Sequence, residues 1–201
     1  MLFKPWRTIS AQRPRLVLGR VYLRPPTHRD WRAWAELRGE SRDFLTPWEP
    51  TWAYDALSRG AYRHRLRAHR AEARQGTSYS FLVFRSDDHA LLGGVTLSNI
   101  RRGVAQTASL GYWAGARHSR QGYMSEALAA VLHFALGDQG LHRVEAACLP
   151  NNAASKALLL RSGFREEGLA REYLRIDGRW QDHLLFGVLR EDLLSLEKRN
   201  L

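Results

Sequence analysis

The chain has 201 residues, 44% hydrophobic and 25% charged, with a formal net charge of +11 and one cysteine. That length suits one domain with a sizeable core and would crowd two; the apolar share is ordinary for a globular protein. No apolar run approaches the roughly 20 residues of a spanning helix, the first residues lack the apolar stretch of a secretory signal, and the lone Cys148 excludes an internal disulfide, which suits a reducing, cytoplasmic setting.

Residues 1–14, with Pro5 and Pro14, read as an irregular arm. Leu16 to Leu23 is expected to form a strand or hairpin about Gly19, closed by Pro25 and Pro26. Thr27 with Asp30 three residues on is a short capping box, and Trp31, Trp34, Ala35 and Arg38 follow at helical spacing. The next loop, Phe44-Leu45-Thr46-Pro47-Trp48-Glu49-Pro50, sets a carboxylate between two prolines beside a large ring. Such a rigid placement fits a substrate wall or a plain turn. Tyr54 to Gln75 is predicted as a helix ending at Gly76, with Tyr62, Leu66, His69 and Ala73 as its inner stripe and arginines around it.

Residues 1–75 carry sixteen Lys and Arg against seven Asp and Glu, whereas the remainder carries fifteen against thirteen. The basicity therefore sits in the N-terminal third. Two readings stay open: docking of Arg59, Arg63, Arg65, Arg67, Arg70 and Arg74 on RNA phosphates by counterion release, or an Arg-rich solvated face.

From Tyr79 the pattern changes to strands, at Tyr79 to Phe84, Ala90 to Leu97 and Val104 to Trp113, whose short linkers predict an antiparallel meander. Leu110 to Ala135 reads as strand, tight turn and amphipathic helix, with Leu128, Val131, Leu132, Ala135 and Leu136 on one face. The turn holds Arg117, Arg120, Gln121 and Gly122. A helix N-terminus presents unpaired N–H groups and partial positive charge, so this turn is suited to a phosphate. Arg143 to Leu149 is a further strand, with Val144, Ala146 and Cys148 on one face, which makes Cys148 a buried thiol rather than a nucleophile. Asn152 caps the next helix, with Ser155 at its third position, and Ser162-Gly163 stops it. Glu172 to Ile176 and Trp180 to Leu189 form a hairpin about Asp177-Gly178, and a short polar helix or tail follows. The histidines show no ligand spacing beyond His64 and His69, so no metal site is expected.

The order of these elements, with Phe44 to Pro50, Leu110-Gly111-Tyr112-Trp113, Gln121 to Ala127, Asn152 to Ser155, Ser162-Gly163-Phe164 and Ile176 to His183, resembles the GNAT-type N-acetyltransferases. Within them the chain looks most like the ribosomal-protein-alanine N-acetyltransferases. The resemblance implies an α+β (α/β) fold: a mixed, mostly antiparallel sheet splayed between two parallel strands, with helices on both faces. It implies one domain over 15–190, flanked by the arm at 1–14 and a tail at 191–201, and a monomer or homodimer. Acetyl-CoA would lie between the splayed strands, its pantetheine arm paired with main chain of Tyr112, Trp113 and Ala114. The loop containing Arg117, Arg120, Gln121, Gly122, Tyr123, Met124 and Ser125 would wrap the pyrophosphate, and Asn152 would bond the pantetheine amides. Against the family's loop pattern of Arg or Gln, two residues, Gly, one residue, then Gly or Ala, only Gly122 is intact. Main-chain contacts survive such a change, and Arg117 and Arg120 can restore the charge by pairing with phosphate.

Acetyl transfer needs a neutral amine, a polarised thioester carbonyl and a proton for the departing thiolate. An N-terminal amine has a pKa near 8, so modest base help suffices. Many relatives place a Tyr seven residues after the Asn, but that position is Leu159 here, and the resemblance points instead to Ser155 as donor to the thiolate. Candidate bases are Glu49, Glu172, Asp182 and His183, with Glu49 the first choice and His183 also readable as a core residue pinned by Asp182. Three functions follow: acetylation of a protein N-terminus starting with Ala or Ser, acetylation of a small amine or amino acid, or a CoA- or RNA-binding module without catalysis.

Overall fold

Alternation along the strands builds one mixed sheet whose two faces carry separate cores. The computed structural model describes residues 15–192; the expected arm and the tail beyond 192 lie outside the described residues. The strands are β1 (Leu16–Leu18), β2 (Val21–Arg24), β3 (Tyr79–Arg85), β4 (Leu91–Arg101), β5 (Thr107–Ala114), β6 (Arg143–Cys148), β7 (Arg165–Ile176) and β8 (Arg179–Leu189). The helices are α1 (Trp31–Glu40), α2 (Arg42–Leu45), α3 (Arg59–Gln75), α4 (Tyr123–Leu132) and α5 (Ala153–Arg161). In β3, Phe81 and Val83 point to one face and Leu82 and Phe84 to the other, as the two-residue period requires. The first pair joins Leu128, Val131, Leu132 and Phe134 of α4 and the turn after it, together with Val144 and Phe186. The second joins Trp34 and Leu37 of α1 and Tyr62 and Leu66 of α3. Each such side chain contributes about 1.5–3 kcal/mol by leaving water.

The spatial order is β1-β2-β3-β4-β5-β6-β8-β7. Neighbours are antiparallel except β5 and β6, which run parallel and pair only at Thr107–Ser109 with Arg143–Glu145. Beyond that point β5 stays on β4 as far as Ala114, and β6 stays on β8 as far as Cys148. The two strands therefore part into a V that opens toward their C-terminal ends. This is the expected architecture, helices on both faces included.

Several boundaries differ from those the sequence predicts. Helix α3 starts at Arg59 rather than Tyr54, because the Ser58 hydroxyl caps it by accepting from Ala61 N at 3.1 Å. Strand β5 starts at Thr107 rather than Val104, after a turn in which Gly103 and Gln106 have φ of +66° and +44°. Strand β7 starts seven residues before Glu172. Most of its side chains are exposed on both faces, so it carries no apolar alternation, and main-chain pairing with β8 defines it instead. The Thr27–Asp30 cap forms, with Thr27 N donating to Asp30 Oδ2 at 2.6 Å, and it is joined by an ion pair from Arg24 at 2.6 Å. Burial alone would raise the Asp30 carboxyl, but the hydrogen bonds from Arg24 and Thr27 outweigh it and hold the group below the usual carboxylate range.

Candidate active site

The same alternation that builds the cores splits β5 at the V. Tyr112 packs with the α4 side and Trp113 with the α1–α3 side. The Tyr112 hydroxyl lies 2.7 Å from Ser155 Oγ, across the opening between β5 and the first turn of α5. The Asn152 side chain caps that turn, its Oδ1 accepting from Ser155 N at 3.0 Å. This leaves the Ser155 hydroxyl to Tyr112 and the neighbouring Cys148 thiol, and the Asn152 amide group to donate. Burial pushes the Tyr112 phenol up to about 12, against a lowering hydrogen bond from Ser155, so it keeps its proton at neutral pH. Cys148 ends β6 beside Ser155, buried as expected, and burial raises its thiol too. Sequence reasoning assigned only the main chain of Tyr112 and found no tyrosine hydroxyl for the site. The hydroxyl comes from β5 instead of α5, a proximity that spacing along the chain cannot reveal.

The turn between β5 and α4 is held as a scaffold. Gly122 caps α4 at φ +84°, a left-handed conformation that costs a side chain energy, and Arg120 also sits at φ +59°. Ala116 N donates to the buried Ser41 hydroxyl at 2.9 Å, and Gln121 Nε2 to the Arg117 carbonyl at 2.8 Å. Gly115 lies against Leu37 so closely that a Cβ would collide with that side chain. Tyr123 and Met124 open the helix, where first-turn N–H groups have no intrahelical acceptor. Arg117 and Arg120 differ in state. Arg117 is paired with Glu40 at 2.9 Å, whereas Arg120 has no ion-pair partner among the described residues. A latch the sequence did not reveal joins this turn to the β1–β2 hairpin. Glu126 accepts from Arg20 N at 2.6 Å and Nε at 2.7 Å, while the same guanidinium donates to the Gln121 carbonyl and lies 4.7 Å over the Tyr123 ring. Glu126 in the first turn also suits the helix dipole.

On the opposite face a cavity of about 950 Å³ reaches from Gly111, Tyr112 and Trp113 to α1, α3 and the 49–57 loop. Glu49 lines it, its carboxylate accepting from both terminal nitrogens of Arg38 and from Trp52 Nε1 at 2.8 Å. Arg38 in turn lies 4.4 Å from the Trp52 ring centre and 4.9 Å from that of Trp113. The Glu49 carbonyl accepts from Asp177 N at 3.0 Å, so the β7–β8 turn props the loop from behind. Neither Arg38 nor Trp52 stood out in the sequence as a partner of Glu49; both become so only when α1 and the loop fold together.

The other candidate bases fall elsewhere. Asp182 Oδ1 accepts from Glu172 N at 2.9 Å and secures the irregular pairing of β7 with β8. His183 is 3% exposed with Nδ1 2.9 Å from the Gln181 carbonyl, a core residue as expected. It is not pinned by Asp182, because adjacent strand residues point to opposite faces. Neither Glu172, Asp182 nor His183 lines the cavity. Among the described residues no group of three His, Cys, Asp or Glu could hold a metal ion, and no helix is long and apolar enough to cross a membrane.

Comparison with known proteins agrees with this geometry. The model for the acetyltransferase (GNAT) domain matches residues 20–165. The chain is 36% identical over 184 residues to the [ribosomal protein uS5]-alanine N-acetyltransferase of Escherichia coli, covering 91% of this chain and 94% of that one. It is 34% identical to the probable N-acetyltransferase YjcK of Bacillus subtilis, covering 86% and 95% of the two chains. The structure superposes on Mycobacterium smegmatis RimJ in complex with CoA-disulfide with a TM-score of 0.81, at 32% identity and with 97% and 94% of the chains covered. A parallel pair splayed over a hydroxyl pair, a glycine-capped helix beside it, and these matches along nearly the whole chain show that the protein belongs to the GNAT acetyltransferases and is an acetyltransferase.

Proposed function

We propose that the protein, as a single catalytic domain over 15–190, transfers acetyl from acetyl-CoA to the N-terminal amine of a protein, foremost a ribosomal protein beginning with Ala or Ser. The observation that carries this is the V between β5 and β6, with the Tyr112–Ser155 hydroxyl pair on one side and a cavity on the other. The names of the relatives point to the acceptor class. The free edge of β5 at Tyr112, Trp113 and Ala114 offers main-chain groups to an extended arm, as an added strand does. The Arg120-Gln121-Gly122 turn and the first-turn N–H groups of Tyr123 and Met124 suit a pyrophosphate, with Ser125 beside them donating its N–H to the Gly122 carbonyl at 3.1 Å. Its charge partner would be Arg120, since Arg117 is engaged by Glu40. The Asn152 amide would bond the arm.

Acetyl-CoA supplies the activated acetyl group and a thiolate leaving group. A main-chain N–H near Trp113 or Ala114 would polarise the carbonyl. Ser155 would donate to the departing sulfur, and Tyr112, protonated at neutral pH, would orient that hydroxyl and resupply its proton. The proton that the amine loses on amide formation would pass to solvent, and Tyr112 would be reprotonated from it. Glu49, fixed by Arg38 and Trp52, would receive the amine N–H groups and aim the lone pair. A terminal amine with a pKa of about 8 is partly neutral at pH 7, so this grip suffices. The exposed arginines of α3 outside the cavity, Arg63, Arg67, Arg70 and Arg74 among them, would hold the enzyme on ribosomal RNA; retention on ribosomes that falls steeply with added salt would match that role.

The test is thiol release from acetyl-CoA with a peptide panel varying the first residue, together with spermidine and free amino acids. Turnover confined to peptides starting with Ala or Ser is expected. Turnover of small amines alone would move the acceptor to that class, and none on any amine would leave a binding module.

A further inference from the structure

The cavity wall opposite the V has a polar feature that none of the proposed steps uses. Arg65 and His69 stand one turn apart on α3, and both line the cavity. Arg65 has no hydrogen bond or ion pair among the described residues, although its neighbour Arg38 is fully engaged by Glu49. Its guanidinium carbon lies 5.5 Å from the Trp34 ring centre, within reach of a cation–π attraction. His69 lines the same wall, and its Nδ1 is buried without a partner. Burial first, and the facing Arg38 second, lower the Arg65 guanidinium, and burial followed by Arg65 lowers the His69 imidazole. Glu49 opposes the shift at Arg65 and Glu72 the shift at His69, but neither carboxylate hydrogen-bonds to these groups among the described residues. Two carboxylates line the cavity. Glu49 is taken by Arg38, and Asp55 sits on a fully exposed stretch of the loop.

We propose that Arg65 and His69 form an anion subsite in the acceptor cavity, which takes a carboxylate carried by the acceptor next to its reacting amine. If the acceptor is a protein N-terminus, as proposed above, this carboxylate is an Asp or Glu side chain in its first few residues. A planar guanidinium presents a fork of donors that matches a carboxylate with two parallel bonds, and His69, neutral at working pH, adds one donor. With Glu49 gripping the cationic end of the acceptor and Arg65 the anionic one, the cavity reads a dipolar molecule. An incoming carboxylate would give the Arg65 guanidinium the hydrogen-bonded partner it lacks.

The experiment uses the full-length protein saturated with CoA and peptides of sequence Ala-X-X-X-Gly-Gly. Position two, three or four is in turn Glu, Gln or Lys, with 4-aminobutyrate, butylamine and spermidine as small amines. Calorimetric Kd and steady-state KM are both read, so binding is measured whether or not turnover occurs. At one of the three positions Glu is expected to bind at least tenfold tighter than Gln, with little change in kcat. Arg65→Gln should reduce that ratio to twofold or less, and Arg65→Glu should turn the preference toward Lys. His69→Gln, which keeps a donor, should retain most of the ratio, and His69→Leu should lose several-fold. Arg65 is exposed on a helix, so its variants are expected to fold, and unchanged circular dichroism checks this. Equal binding of Glu and Gln at all three positions, or a preference that survives Arg65→Gln and Arg65→Glu, overturns the subsite. If peptides fail altogether but 4-aminobutyrate binds tighter than butylamine through Arg65, the protein acceptor falls and the subsite stands.

Discussion

The two halves of the site are built from different materials. On the proposed donor side the groups are main chain: the free edge of β5, a turn capped by Gly122 and the first N–H groups of α4. On the acceptor side they are side chains from distant segments, with Arg38 of α1, Glu49 and Trp52 of the loop and Trp113 of β5 packed on one another. Main-chain sites tolerate changes of residue as long as the backbone path is kept. Side-chain sites do not tolerate them, and in the proposed function they are where the amine is chosen.

The largest effect that sharpens this contrast falls where the halves meet. Ser155→Ala should lower kcat about 100-fold while leaving the Kd for CoA within twofold; an equal loss in both would make Ser155 a binding residue. Next, Arg38→Ala should raise the acceptor KM about tenfold and lower stability in urea by about 2 kcal/mol, because it leaves the Glu49 carboxylate half-buried without its main partner. A change in CoA affinity instead would erase the division. Tyr112→Phe should cost several-fold in kcat. In the parent, a phenol near 12 stays protonated, so no loss of activity from this group is expected up to about pH 10. An alkaline limb near pH 9 that disappears in Tyr112→Phe would contradict that. The smallest effect belongs to the donor turn, where Arg117→Ala should move the Kd for CoA less than threefold, since Glu40 already holds that guanidinium.

Stability adds a test with a definite sign. The Asp30 carboxyl is held below its ordinary value in the folded chain, so its contribution is present above the unfolded value of about 3.9 and disappears as pH falls through the folded one. The urea midpoint of the parent should therefore drop in acid. Asp30→Asn should start lower at pH 7 and fall less steeply.

Much of the fold was legible in the chain because periodicity reports burial. The α4 stripe, the meander from β3 to β5 and the Asn152 cap each appear where spacing puts them. Strand β7 escaped because its side chains are mostly exposed and carry no pattern. The donor turn was legible because a helix start has a local signature. Glu49 was legible as an oddly placed charge, but its partners were not, and neither was the latch between Arg20 and Glu126, which are 106 residues apart.

By itself the sequence determined most of the elements and the place of the turn between β5 and α4, since each depends on neighbours within a few residues. Tertiary structure alone decided that Tyr112 meets Ser155, that Arg38 meets Glu49 and that Arg65 lies over Trp34 without a hydrogen bond or ion pair among the described residues. Those outcomes depend on how the sheet splays and how α1 and α3 cross it. The physical reason is range: propensity, capping and alternation act over one or two turns of chain. The chemistry of this site is set by side chains brought together across 43 residues in one case and 11 in another, by packing that no local pattern encodes.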